Sequence, residues 1–168
     1  MIYLNALELL RRHTSLPFGW CEVVVGYDFA LVGPSDIQAW ARTRAWEGPA
    51  CRRLADLEGA GLERFEAALW AAATEATGKA PRPGGQRWAR AQDRWRVALL
   101  MDALAAPLTP EALAVAVERI YDQVGCPEDM LDLWHRSSPW EKRPGHADHR
   151  KVEAFVRRRE EVGPRSVA

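Results

Sequence analysis

From Leu62 to Val124, apolar side chains return every three or four residues in three successive segments, with glycine or proline between one segment and the next. Leu62, Phe65, Leu69 and Ala73 make the first stripe; Trp88, Ala91, Trp95 and Leu99 the second; Leu113, Val117, Ile120, Tyr121 and Val124 the third. That step matches the α-helical turn and puts each set on one face, whereas a half-buried strand would alternate at every second residue. Helices with one oily face each escape water by packing those faces together, so the chain is limited to architectures in which helices close the core.

The punctuation agrees with the periodicity. Gly78 closes the first segment, and "KAPRPGGQ" is the clearest loop, because its prolines and glycines sustain neither regular ladder. Thr109 is placed to cap the third helix, with Pro110 at its first position, Glu111 at its positive end and Gly125 as its stop. Upstream, Leu4, Leu7 and Leu10 predict a short helix to about His13, ahead of Pro17. Ser35 as N-cap and Gln38 three residues later read as a capping box for a helix with Ile37, Trp40 and Ala41 inward. Gly48 and Pro49 end that helix, and a short one from Cys51 follows, closed by a turn at Gly59 to Gly61. Beyond Gly125, Cys126 and Pro127 restart a helix in which Met130, Leu131 and Trp134 share a face, and a last amphipathic helix is predicted from Asp148 to about Glu161.

One stretch reads two ways. In "WCEVVVGYDFALVG", Val23 to Val25 favours a strand, since β-branched side chains lose rotamer freedom in a helix. A lone strand in an otherwise helical chain has no partner for its backbone hydrogen bonds, so a helix followed by a turn at Gly26 is the preferred reading. The expectation is an all-α fold: one compact domain over residues 1–168, with about seven or eight mostly short helices.

The 168 residues suffice for one domain with its own core, and apolar and charged fractions of 48% and 27% are those of ordinary globular chains. Cys21, Cys51 and Cys126 are odd in number and far apart, which points to buried thiols rather than a disulfide framework or a thiolate zinc site. The opening "MIYLNALELLRRH" lacks the apolar core of a signal peptide, and no later stretch is apolar enough to span a bilayer, so a cytoplasmic protein is expected, with no membrane partner.

The order of these features resembles a bacterial family catalogued as domain of unknown function 2247. The resemblance rests on Trp20, Gly26, Asp36, Ile37 and Ala41, then on "RWRVALLMDAL" and "IYDQVGCPEDM", and covers about residues 15 to 140. It departs from the family at Val124, Gly125 and Cys126, where an aromatic and acidic stretch would stand before the proline. It implies an all-α fold with a short helix at Trp20 to Val25, and it implies no reaction.

The residues offer several chemistries. His146, Asp148 and His149, with His135 upstream, are metal-ligand types, and a metal-dependent hydrolase would use His146 and His149; the plainer reading makes Asp148 a helix cap beside two solvated histidines. Cys51 or Cys126 becomes a nucleophile only with a histidine brought near by the fold. No nucleophile elbow, phosphate-binding glycine loop or dinucleotide fingerprint occurs. Charge is segregated: Lys79, Arg82, Arg87, Arg90, Arg94 and Arg96 face a single acid, Asp93, while Glu111 to Asp132 is rich in carboxylates. Arg87, Arg90 and Arg94 share one helix face, which with Trp88 and Trp95 would suit nucleic acid. A formal net charge of zero favours instead tryptophans in the core and arginines paired to acidic neighbours.

Eight tryptophans are many for this length, and Trp46, Trp70 and Trp140 stand off the core stripes or at element ends. Exposed tryptophan with arginine is the composition of interaction hot spots. The sequence therefore favours a non-enzymatic protein-interaction role, an immunity or antitoxin-like factor that binds and occludes a partner protein. Arg87, Arg90, Arg94, Trp46, Trp70 and Trp140 are the candidate contact residues. No catalytic residue, cofactor or metal site is assigned, and nucleic-acid binding through residues 87–96 or the metal-dependent hydrolase are the alternatives.

Overall fold

The structure, a computed structural model, describes residues 6–13, 18–59, 61–79, 81–135 and 146–161. Helical periodicity becomes α-helix in eight segments of the described residues: α1 (Ala6–His13), α2 (Trp20–Asp28), α3 (Pro34–Arg42), α4 (Pro49–Ala55), α5 (Leu62–Thr77), α6 (Gln86–Ala105), α7 (Pro110–Gln123) and α8 (His149–Glu161). Short 3-10 turns occupy Ala45–Glu47 and Glu128–Leu133. The fold is all-α, apart from a two-stranded antiparallel pairing of β1 (Trp134–His135) with β2 (His146–Ala147).

The axis of the molecule is α6, whose 20 residues span roughly 30 Å. From Trp95 to Leu100 every residue is buried, because α1, α2, α7 and α8 all pack around this one helix. A helix covered on all sides must be apolar on all sides, and the departure is Arg96, only 6% exposed. Two carboxylates answer that charge: Arg96 donates to Asp129 at 2.7 Å and to Asp93, and Arg159 of α8 donates to the same two acids. Burial, with Arg159 nearby, lowers the Arg96 pKa to about 10, and its Nε has no hydrogen-bond partner.

The strand-or-helix question at Val23 to Val25 is settled by α2. All three valines are buried, on a helix that packs against α6 on one side and α5 on the other, which is why a run with no polar face is stable there. The expected turn at Gly26 is not there, since the helix runs on to Asp28. Gly26 answers a different need: a Cβ at this position would lie 2.5 Å from Cζ2 of Trp95 and 2.8 Å from Cγ2 of Val32. The glycine lets α2 and α6 approach until the indole lies on bare backbone.

Three further expectations change. Gly33, not Ser35, is the N-cap of α3, with Pro34 in the first turn, and Gln38 reaches away from its own helix to donate to the carbonyls of Leu54 and Leu57 at the end of α4. Those carbonyls need a donor more than the start of a proline-led helix does. Leu62 opens the α5 stripe in sequence but is 64% exposed, because it sits in the first turn beyond the reach of the packed helices. The segment after Pro127 is a 3-10 turn, so Met130 is buried while Leu131 points outward and Trp134 passes into β1. Three residues per turn cannot hold the face that an α-helix would have given them.

Candidate binding face

The helix α4 begins at Pro49 after a 3-10 turn that carries Trp46, and it packs against both α3 and α5. Its start is fixed by a side chain from α5. The backbone N–H of Ala50 donates to Oε2 of Glu75 at 2.6 Å, and the carboxylate lies so close to Gly48 that a Cβ there would meet it at 2.7 Å. A distant carboxylate thus satisfies an orphan donor and faces the positive end of the helix. The preceding turn is fixed as firmly: Glu47 accepts from the Trp20 indole at 2.6 Å and from Arg44 at 2.6 Å, and the Arg44 guanidinium lies 4.7 Å from the Trp40 ring centre.

This scaffold leaves Trp46 outside, with 78% of its surface exposed. Three residues on, from Pro49, the α4–α5 seam carries two adjoining shallow depressions, of about 650 and 500 Å³ and largely open to solvent. Arg52, Arg53, Asp56, Leu57 and Arg64 line the first; Ala50, Arg53, Trp70, Ala71 and Thr74 line the second, so Arg53 stands between them. Trp70 is half-buried, its ring forming part of the wall. Among the described residues, Arg52, Arg53 and Arg64 form no ion pair, although Asp56 and Glu58 border the same hollow.

Of the six contact residues read from the sequence, Trp70 lines the second depression, Trp46 stands exposed on the turn before α4 and lines neither, and Trp140 is outside the described residues. The arginine stripe lies elsewhere, on α6. Arg94 pairs with Glu22 at 2.8 Å, and Arg87 donates to the carbonyls of Thr77 at 3.4 Å and Lys79 at 3.1 Å, at the end of α5. Arg90 is exposed, while Trp88 and Trp95 face the core and offer no ring for stacking. Arg52, Arg53 and Arg64 were not singled out by sequence, since nothing local separates them from any helix-surface arginine. The adjacent pair Arg52–Arg53 was the available signal, and only the packing of α4 on α5 gives it meaning.

The remaining candidates disperse. His146 is exposed in β2, 3.7 Å from Glu111 of α7, and His149 opens α8. The side chain of His135 lies outside the described residues. The Glu111 carboxyl is held below its ordinary range by its own backbone amide and the Thr109 hydroxyl, with His146 adding to this. Asp148 accepts from the backbone N–H of Arg150 at 2.9 Å, as a helix cap does. No group of three His, Cys, Asp or Glu among the described residues is arranged to hold a metal ion. Cys51 is buried and its thiol donates to the carbonyls of Ala41 and Arg44, with burial and then Glu47 pushing its pKa up. Cys126 is exposed, and Cys21 is half-buried with its pKa raised by burial and by Glu22. Among the described residues no helix is long and apolar enough to cross a membrane.

No protein-family model, curated protein or solved structure matches the chain.

Proposed function

We propose that this chain is a non-enzymatic binding protein that occludes a partner protein, in the manner of an immunity or antitoxin factor, through the face formed by Trp46, α4 and α5. The observation that carries this reading is the exposure of Trp46 on the turn that leads into α4, the helix whose seam with α5 is lined by Trp70. Burying a large apolar side chain contributes roughly 1.5–3 kcal/mol, and the fold leaves that contribution unused at Trp46 while holding the backbone beneath it with Glu47 and Glu75. An exposed tryptophan on a braced turn, with a second tryptophan and unpaired arginines on the helices that follow, has the composition of energetic centres of protein interfaces. The resemblance to domain of unknown function 2247 is compatible with this role and supplies no reaction to set against it.

The test is site-specific photo-cross-linking in the native host. A photoreactive phenylalanine at position 46 is expected to give one dominant adduct that is lost on Trp70→Ala, and the same group at Val115 on α7 to give none. Absence of an adduct from position 46, or the same set of adducts from both positions, would sink the reading.

A further inference from the structure

We infer that the partner segment received by this face is acidic: a protein segment that lays a large apolar side chain against the shallow apolar surface at Trp70 and carboxylates over Arg52, Arg53 and Arg64. This rests on the reading of α4 and α5 as the binding face and adds the chemistry of the occupant.

Charge is the deciding property. Three guanidinium groups and two carboxylates, Asp56 and Glu58, border the first hollow, and none of the five is ion-paired among the described residues. In the second, the only other charged lining group besides Arg53 is Glu75, and its carboxylate is already spent on Ala50 and packed against Gly48. The surplus that faces outward is therefore cationic. The contrast with α6 is informative: where Arg94 and Arg96 have structural work, the fold supplies Glu22, Asp93 and Asp129 as partners. Arg52, Arg53 and Arg64 form no such pair among the described residues, and three guanidinium groups against Asp56 and Glu58 leave one positive charge in surplus. Guanidinium groups take carboxylates in paired, directional hydrogen bonds, and excluding water around them as a partner docks strengthens each bond.

The apolar half of the occupant follows from the second hollow. Ala50, Ala71, Trp70 and Thr74 make a surface with little polar area, and the Thr74 hydroxyl is spent on the Trp70 carbonyl of its own helix at 2.7 Å. An aromatic or long aliphatic side chain fits this, flanked by Arg53 at the junction with the first hollow. A phosphate chain fits less well. It carries a charge every few ångströms and cannot avoid Asp56 and Glu58, whereas carboxylates placed singly along a peptide can.

The experiment is selection of random peptides displayed on phage against the full-length protein. Synthetic versions of the winners are then measured by fluorescence polarisation against the wild type, Trp70→Ala, and the triple variant Arg52→Gln, Arg53→Gln, Arg64→Gln. Enriched peptides are expected to carry at least two Asp or Glu beside a Trp, Phe or Leu. Their affinity is expected to fall about tenfold or more in the triple variant and in Trp70→Ala, and to weaken as salt rises. Enrichment of neutral or basic peptides, no enrichment, or acidic peptides indifferent to the triple variant would overturn the inference, as would an oligonucleotide that binds this face where no peptide does. The two proposals fail separately. If the cross-link from position 46 persists in the triple variant, the binding face stands and its acidic occupant does not.

Discussion

Trp95 lies with its indole ring on the backbone of Gly26, and its Nε1 donates to the carbonyl of Glu22 one helical turn earlier, at 2.8 Å. One side chain of α6 therefore fixes both the separation of α2 and its position along the axis. Any atom added at Gly26 competes with that ring.

Gly26→Ala is accordingly expected to destabilise the protein. Alanine is worth about 1 kcal/mol over glycine inside a helix, but forcing a methyl to within 2.5 Å of Cζ2 costs about 1–3 kcal/mol in displaced core, and the second effect wins. A double-mutant cycle with Trp95→Phe checks it. The smaller ring should relieve the clash, giving a coupling above about 0.5 kcal/mol, and simple additivity would contradict the contact.

Glu22 is 7% exposed and serves two donors, the backbone N–H of Gly19 at 2.8 Å and Arg94 at 2.8 Å. Glu22→Ala removes the acceptor of both, and because Arg94 is a quarter exposed the cost expected in denaturant unfolding is about 2 kcal/mol, below that of a fully buried pair. A loss below about 1 kcal/mol would mean that Arg94 finds water as easily as it finds Glu22.

Glu75→Gln tests the start of α4 without emptying the space. The weaker acceptor should cost about 1 kcal/mol and raise hydrogen exchange at Ala50 and the residues after it, with exchange in α6 unchanged. Uniformly faster exchange would show that Glu75 supports the whole fold and not this one helix end.

Asp28, exposed at the end of α2, has its pKa raised by partial desolvation and by the neighbouring Glu66 carboxylate, an effect that solvent keeps small; Glu66 also accepts from the Tyr27 hydroxyl at 3.2 Å. A raised carboxyl pKa means that the folded state holds the proton more tightly than the unfolded chain. Stability is then lost as pH climbs from the ordinary value of 3.8 through the raised one. Asp28→Asn should raise the melting temperature at neutral pH and leave it unchanged once both states are protonated. An equal gain at both pH values would point to a cause other than ionisation.

Thiol labelling should separate the three cysteines by exposure. Cys126 is expected to react at once, Cys21 slowly, and Cys51 only on unfolding, since it is buried with its S–H directed at two carbonyls. Mass spectrometry after a timed maleimide pulse reads the order directly.

The sequence by itself determined the helices. Spacing of Trp88, Ala91, Trp95 and Leu99, the Thr109 cap with Pro110, and the stop at Gly78 are written within a few residues of where they act, and the structure realises each of them. Tertiary packing decided which leftovers have a partner. Gln38 could not reveal that it would serve α4, Glu75 meets Ala50 across 25 residues, and Trp95 meets Glu22 across 73. Whether Arg94 is held and Arg53 is left open depends on which acid another helix brings within reach, and the exposure of Leu62 on which helices pack over its turn. Helix formation is governed by neighbours along the chain, whereas burial and charge pairing are governed by neighbours in space, and a periodic pattern records only the first.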